Sequence, residues 1–192
     1  NNNSKQICAI GAVCGFSGSR ITNVTVYGNL KGVGRVSVGG ISGEGNGYII
    51  ENCTNYANIS GGSALGGILG SGTVSIIKNC KSYQDIHYND KYSDHDQIGG
   101  IAGFLEGGKI TNCTFSACIY VDISDTNSRT LQPYIGSILG CAYENSSISG
   151  NNDTSCTINA NNLNADVSWW EWFKTYHFNQ KLYVKYGIGY TN

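Results

Sequence analysis

The chain has 192 residues, among them 27 Gly, 22 Asn, a single Pro and no Met, and twelve basic residues against thirteen acidic ones leave a net charge of −1. That balance offers no electrostatic footprint for nucleic acid or for an anionic membrane surface, and Gly without a three-residue period excludes a collagen-like helix. The length suits one domain or a short stack of repeats, and the lack of an initiator Met and of a signal peptide points to a processed form or a piece of a longer polypeptide.

In chain order, the first element is a short block that recurs: Ile10-Gly-Ala-Val-Cys-Gly15, Val38-Gly-Gly-Ile-Ser-Gly43, Leu65-Gly-Gly-Ile-Leu-Gly70, Ile98-Gly-Gly-Ile-Ala-Gly103 and Ile135-Gly-Ser-Ile-Leu-Gly140. The first residues of these blocks are 28, 27, 33 and 37 positions apart. A second block follows at nearly constant distance: Ile21-Thr-Asn-Val24, Ile50-Glu-Asn-Cys53, Ile77-Lys-Asn-Cys80 and Ile110-Thr-Asn-Cys113. A third apolar position comes six residues later, at Leu30, Ile59, Ile86 and Ile119. The fifth copy is degenerate and holds Ile148 and Ile158 around an extra residue. Length varies only after the third position, where the stretches Asn89 to Gln97 and Asp122 to Gln132 are polar.

Apolar residues therefore recur at strand-like intervals within a unit and at coil-length intervals between units, and no stretch before residue 160 sustains a helical stripe. One unit cannot bury its own apolar face, whereas stacked units share a continuous core. The pattern predicts an all-β fold, a right-handed parallel β-solenoid (β-helix) of about five coils, with like columns stacked at the strand spacing. Val24, Cys53, Cys80 and Cys113 form an expected core column, Tyr27, Tyr56 and Tyr83 an aromatic stack broken at Ser116, and Asn23, Asn52, Asn79 and Asn112 an amide ladder or turn cap. The uncharged stretch Ile59 to Ile77 is rich in Gly and Ser and in phase with the repeat, so it is expected to be a core coil and not a membrane span.

The block of bulky apolar residue, Gly-Gly, apolar, any residue, Gly, followed by I-x-N-C/S, resembles the GLUG-motif repeats over about residues 10 to 158. That family occurs in bacterial and protist surface proteins, in filamentous adhesins and in non-catalytic parts of IgA-specific metallopeptidases. The resemblance implies a β-solenoid and surface exposure, and it brings no catalytic residues.

Composition shifts near residue 160, which divides the chain into repeats over 1–160 and an aromatic-rich segment over 161–192. Trp169, Trp170, Trp172, Phe173, Tyr176, Phe178, Tyr183, Tyr186 and Tyr190 crowd into this segment. Ser168 with Glu171 is a capping-box pattern for a short helix to about His177, and Leu182 to Tyr190 has strand character. A short helix/strand cap over the open end of the solenoid is one reading. The other is an aromatic assembly or binding surface made of Trp169, Trp170, Trp172, Phe173, Tyr176, Tyr183, Tyr186 and Tyr190.

The eight Cys include no C-x-x-C and no zinc spacing. Seven sequons accompany them, at Asn2, Asn23, Asn52, Asn58, Asn112, Asn145 and Asn152. Together they point to a secreted, extracellular or cell-surface glycoprotein; a cytosolic protein with buried thiols is the alternative. Asn2, Asn58, Asn145 and Asn152 are the expected glycan sites; Asn23, Asn52 and Asn112 are ambiguous, because a ladder needs an inward side chain. Cys118 with Cys156 is the expected bridge between coils, Cys8 with Cys14 closes a short loop, and Cys141 has no evident partner.

The pattern calls for no cofactor and no metal. His87, His95 and His177 are far apart, and Asp94-His95-Asp96 fits a solvated loop better than a cation site. Carboxylates stand singly, without the clustered pair and basic partner of polysaccharide-cleaving β-helices, so an enzyme is not expected. A flat Thr row of the ice-binding kind is interrupted at Lys81. The reading is a non-enzymatic extracellular structural module, self-associating end to end or joined to neighbouring domains. Its rival is an adhesin module that binds glycan or host protein, and a polysaccharide-degrading enzyme comes third. No nucleic-acid partner and no membrane insertion are expected.

Overall fold

The fold is that of a computed structural model, which describes residues 8–89, 96–122, 133–153, 156–161 and 188–191. All of its regular structure is β, and the strands stack in four parallel sheets. Sheet 1 holds Cys8–Gly11, Val36–Gly39, Ala64–Gly66, Gln97–Gly99 and Tyr134–Gly136. Sheet 2 holds Cys14–Ser17, Ser42–Asn46, Leu69–Thr73, Ala102–Glu106, Leu139–Tyr143 and Ile188–Thr191. Ile21–Thr22, Ile49–Glu51, Ile76–Lys78, Lys109–Thr111 and Ser147–Ser149 make sheet 3. Sheet 4 begins with Thr25–Lys31 and Thr54–Ser60, continues through the split pairs Lys81–Ser82/Ile86–Tyr88 and Thr114–Phe115/Cys118–Asp122, and ends at Thr157–Asn161.

The chain visits the sheets in that order on every pass. This makes a β-solenoid of four complete turns between Cys8 and Tyr134, with a fifth set of strands following. The register is the one the repeats dictate: Ile21, Ile50, Ile77, Ile110 and Ile148 pair in one column, and Leu30, Ile59, Ile86, Ile119 and Ile158 in another. A one-residue slip would turn every apolar side chain out of the core. Ile50, Ile77 and Ile110 are buried completely, as are Ile59, Ile86 and Ile119.

The repeated glycines are required by contact. A Cβ on Gly39, Gly66 or Gly99 would stand 2.0, 1.9 and 1.9 Å from a backbone oxygen of the sheet 2 strand that follows. The chain thus folds back with backbone against backbone. The next Gly faces across the core instead: a Cβ on Gly40 would meet Asn55, on Gly67 Ser82, and on Gly100 Phe115. In the fifth coil Ser137 takes the Gly position and its hydroxyl hydrogen-bonds the carboxylate of Asp153, which stands one residue beyond Thr114's bridge partner Asn152. A small residue on this wall thus faces a different side chain across the core in each coil.

Two sequence expectations are corrected here. Asn23, Asn52, Asn79 and Asn112 do not form an inward ladder. Their side chains are exposed, and their φ angles of 59°, 55°, 55° and 53° place them in the left-handed region at the corner between sheets 3 and 4. Gly150, which aligns with Asn112, has φ 64°. Asn and Gly are the residues that adopt this conformation at least cost, which explains the column. Amide rungs do exist elsewhere: Asn58 Nδ2 donates to Asn29 Oδ1 at 2.9 Å on the outer face, and the buried Asn55 Nδ2 donates to Ser82 Oγ at 3.3 Å inside.

The expected bridges Cys118–Cys156 and Cys8–Cys14 are the second correction. All eight cysteines are free thiols. Cys118 pairs with Thr157, so Cys156 lies one residue out of step. Adjacent strand residues face opposite ways. Cys156 packs against the core, whereas Cys118 alternates with the buried Ile119 and points outward. Cys8 is exposed in sheet 1, while Cys14, beyond the corner in sheet 2, packs inward with its thiol 3.4 Å from Ser42 Oγ.

Candidate functional site

Three features stand out among the described residues: a buried thiol column, an aromatic outer face, and the first coil's uncovered apolar edge.

The thiol column follows the corner Asn. Cys53, Cys80 and Cys113 are fully buried, and each thiol lies 3.3 to 3.4 Å from the carbonyl two residues earlier. Each coil also ties to its neighbour: Cys53 N donates to Cys80 Sγ at 3.5 Å and Cys80 N to Cys113 Sγ at 3.4 Å, while Cys80 Sγ reaches Ile50 O at 3.7 Å. In the fifth coil Asn151 fills the same place with the same bonds, accepting from Cys113 N at 2.8 Å and donating to Ile110 O at 3.1 Å. The position therefore calls for a small side chain that accepts one backbone N–H and donates to one backbone carbonyl of the preceding coil. Contact with Cys113 and burial push the Cys80 thiol up to about 12, and burial alone pushes Cys141 to about 12. Cys80 and Cys141 are thereby held neutral, whereas the hydrogen bond with Cys80 draws the Cys113 thiol down.

The outer face of sheet 4 carries the aromatic stack. The Tyr27 and Tyr56 rings lie 5.2 Å apart at 9°, and the Tyr56 and Tyr83 rings 5.3 Å apart at 20°. A second stack, unmarked by any repeat in the sequence, joins His87 to Tyr120 at 4.7 Å. Below this face Glu51 is tied to Lys78 at 2.9 Å and to Arg20, which links three successive coils. The Lys78 hydrogen bond first, and the Arg20 bond second, hold its carboxyl below the usual range.

At the first coil, residues in core columns lose their cover. Val13 is 45% exposed, whereas Ile41, Ile68 and Ile101, in the same column, are at 0%. Ile10, Val24 and Leu30 are likewise only partly buried. At the other end, Ile188–Thr191 lies on Leu139–Tyr143, pairing Tyr190 with Cys141.

The remaining expected sites divide plainly. Asn58, Asn145 and Asn152 are exposed. Asn2, Trp169, Trp170, Trp172, Phe173, Tyr176, Tyr183 and Tyr186 lie outside the described residues, as does the expected helix from Ser168 to His177. Among the described residues no group of three His, Cys, Asp or Glu is placed to hold a metal ion, and no helix is long and apolar enough to cross a membrane. Sequence reasoning missed the bonding role of the thiol column and the left-handed backbone of the Asn column, for which it offered a ladder or a turn cap. The signal for the corner was present, since Gly150 follows four Asn in one column.

Residues 95–120 match the GLUG motif. This span runs from the strand Gln97–Gly99 through the corner at Asn112 to the column of Ile119, so it holds all three repeated positions of the fourth coil. No curated protein and no solved structure matches the chain.

Proposed function

We propose that this β-solenoid repeat module is a non-enzymatic extracellular structural element that extends by stacking a further coil on its first one. The observation that carries the reading is Val13, 45% exposed in a column that every inner coil buries. An adjoining coil, from a second copy or from neighbouring chain, would cover Val13 together with Ile10, Val24 and Leu30, and would pair the edge strand Thr25–Lys31. Heterologous stacking of this kind builds an open fibre or stalk. Negative-stain images over a concentration series test it. Rods that lengthen with concentration and disperse in the Val13→Asp variant are expected; single particles of constant size at every concentration would sink the reading.

The rival, a module that binds glycan or host protein, draws on the outer face of sheet 4, where Tyr27 is 73% exposed at the end of its stack. Tyr, Asn and Thr side chains on a flat sheet supply rigid contact area and adaptable hydrogen bonds. Binding to a glycan array that is lost in Tyr27→Ala, with no rods in the images, would favour it.

A further inference from the structure

We infer that the left-handed corner is an N-glycan acceptor site, occupied at Asn52 and Asn112, and that the sheet-borne sequon at Asn58 is not. The inference rests on the extracellular reading for where the chain would meet the modifying enzyme. It needs only the fold for which residue accepts the sugar.

The corner has the chemistry and the room. Asn52 and Asn112 are exposed at φ 55° and 53°, where the chain turns between two sheets. Thr54 and Thr114 supply the hydroxyl two residues on, and they share one half-exposed column of sheet 4. The residue between, Cys53 or Cys113, is fully buried, so the acceptor Asn and the Thr flank an anchored point. At Asn112 the Oδ1 lies over Gly150, 2.2 Å from where a Cβ would stand, so the carbonyl side of that amide faces the next coil.

Asn58 is also exposed, but it sits within the seven-residue strand Thr54–Ser60, and its Nδ2 already donates to Asn29 Oδ1 at 2.9 Å. A sugar on that nitrogen would replace one of its two hydrogens and lie over the Tyr stack. The corner thus contains its own control, because Asn79 has the same geometry at φ 55° but is followed two residues on by Lys81, which removes the hydroxyl. Asn52 and Asn112 are two coils apart, about 10 Å at the usual strand spacing, with the unmodified Asn79 between them. Asn23 is only one coil from Asn52, about 5 Å, so sugars on both would collide.

The step balances with a lipid-pyrophosphate-linked oligosaccharide as donor. A bond forms between the Asn Nδ2 and C1 of the first sugar, the bond from C1 to the pyrophosphate oxygen breaks, and the lipid pyrophosphate leaves with that electron pair. The amide gives up one proton.

The test directs the chain through a eukaryotic secretory pathway and maps sites by enzymatic deglycosylation in heavy-oxygen water with peptide mass spectrometry. Asn52 and Asn112 are expected to carry glycan, Asn79 and Asn58 none, and no single molecule to carry sugar on Asn23 and Asn52 together. Thr54→Ala and Thr114→Ala should each remove one glycan while leaving the Asn corner in place, and Lys81→Thr should create a glycan at Asn79. Occupied Asn58 with empty Asn52 and Asn112 would overturn the inference, as would a chain glycosylated only at Asn145 or Asn152. Native material without sugar, beside modified material from the secretory host, would reject a glycosylating secretory route and leave the corner's competence standing.

Discussion

Val74 shares a corner column with Gly47, Gly107 and Glu144, and all four have φ between 48° and 65°. A β-branched residue is the poorest choice for that region, at a cost of about 1–2 kcal/mol that Gly avoids. Val74→Gly is therefore expected to stabilise the chain by about 1 kcal/mol, after the entropy of the added Gly is deducted. Urea unfolding should show a higher midpoint with unchanged slope, and a lower midpoint would contradict the strain. The thiol column yields a second residue-scale expectation. Cys80→Val preserves apolar bulk but leaves Cys53 N without its sulfur acceptor, which costs about 1–3 kcal/mol. Cys80→Ser keeps a group that can accept and donate, as Asn151 does, and should cost less despite being more polar. The same denaturation curves rank the two, and the reverse order would reduce the column to simple packing.

At the scale of the element, the sheet 1–sheet 2 arch depends on its glycines and the sheet 3 stack on its charges. Gly67→Ala would set a Cβ 2.2 Å from Gly100 O and 2.3 Å from Ser82 Oγ, so neighbouring coils and the opposite wall would both have to move. The expected loss is about 3 kcal/mol, at the upper end for overpacking. Gly18→Ala, with nothing within 4 Å, should change little. Glu51 gives the arch of charges a pH signature. Its folded carboxyl is held below the ordinary value by Lys78 and Arg20, so its contribution is fully present above the unfolded carboxylate pKa and is lost as pH falls through the folded one. Stability of the wild type should drop on acidification through the carboxylate range by more than that of Glu51→Gln. Parallel curves for the two proteins would show that the ion pairs are solvated and neutral in effect.

Over the whole molecule, nearest-neighbour stacking governs order. Each coil touches mainly the coils beside it, so local openings should begin at the ends and stop at the coils covered on both sides. Hydrogen exchange is expected to protect the strands of coils two to four, where Val38, Leu65 and Ile98 are at 0% exposure, more than Cys8–Ser17. Equal protection from Cys8 to Asn161 would mean a single cooperative unit and would rule out end fraying.

The strand order, the parallel pairing and the register follow from the chain read alone. Three apolar columns at fixed offsets admit only one alignment, and a slip of one residue would expose all of them. The Tyr27–Tyr56–Tyr83 stack was legible for the same reason, since residues in phase become neighbours. What the repeat cannot reveal is direction at a corner or across the core. Asn23, Asn52, Asn79 and Asn112 are in phase whether they point in or out, and only the left-handed backbone decides that they point out. Cys118 and Cys156 look aligned if one counts an extra residue on the wrong side of the strand; the pairing of Cys118 with Thr157 places them on opposite faces. The match of Gly67 to Ser82 and of Gly100 to Phe115 joins residues of different columns, which periodicity never relates. Local pattern fixes which residues stack, because stacking repeats the sequence period; the closing of each coil fixes what they face, because that depends on the distance between walls.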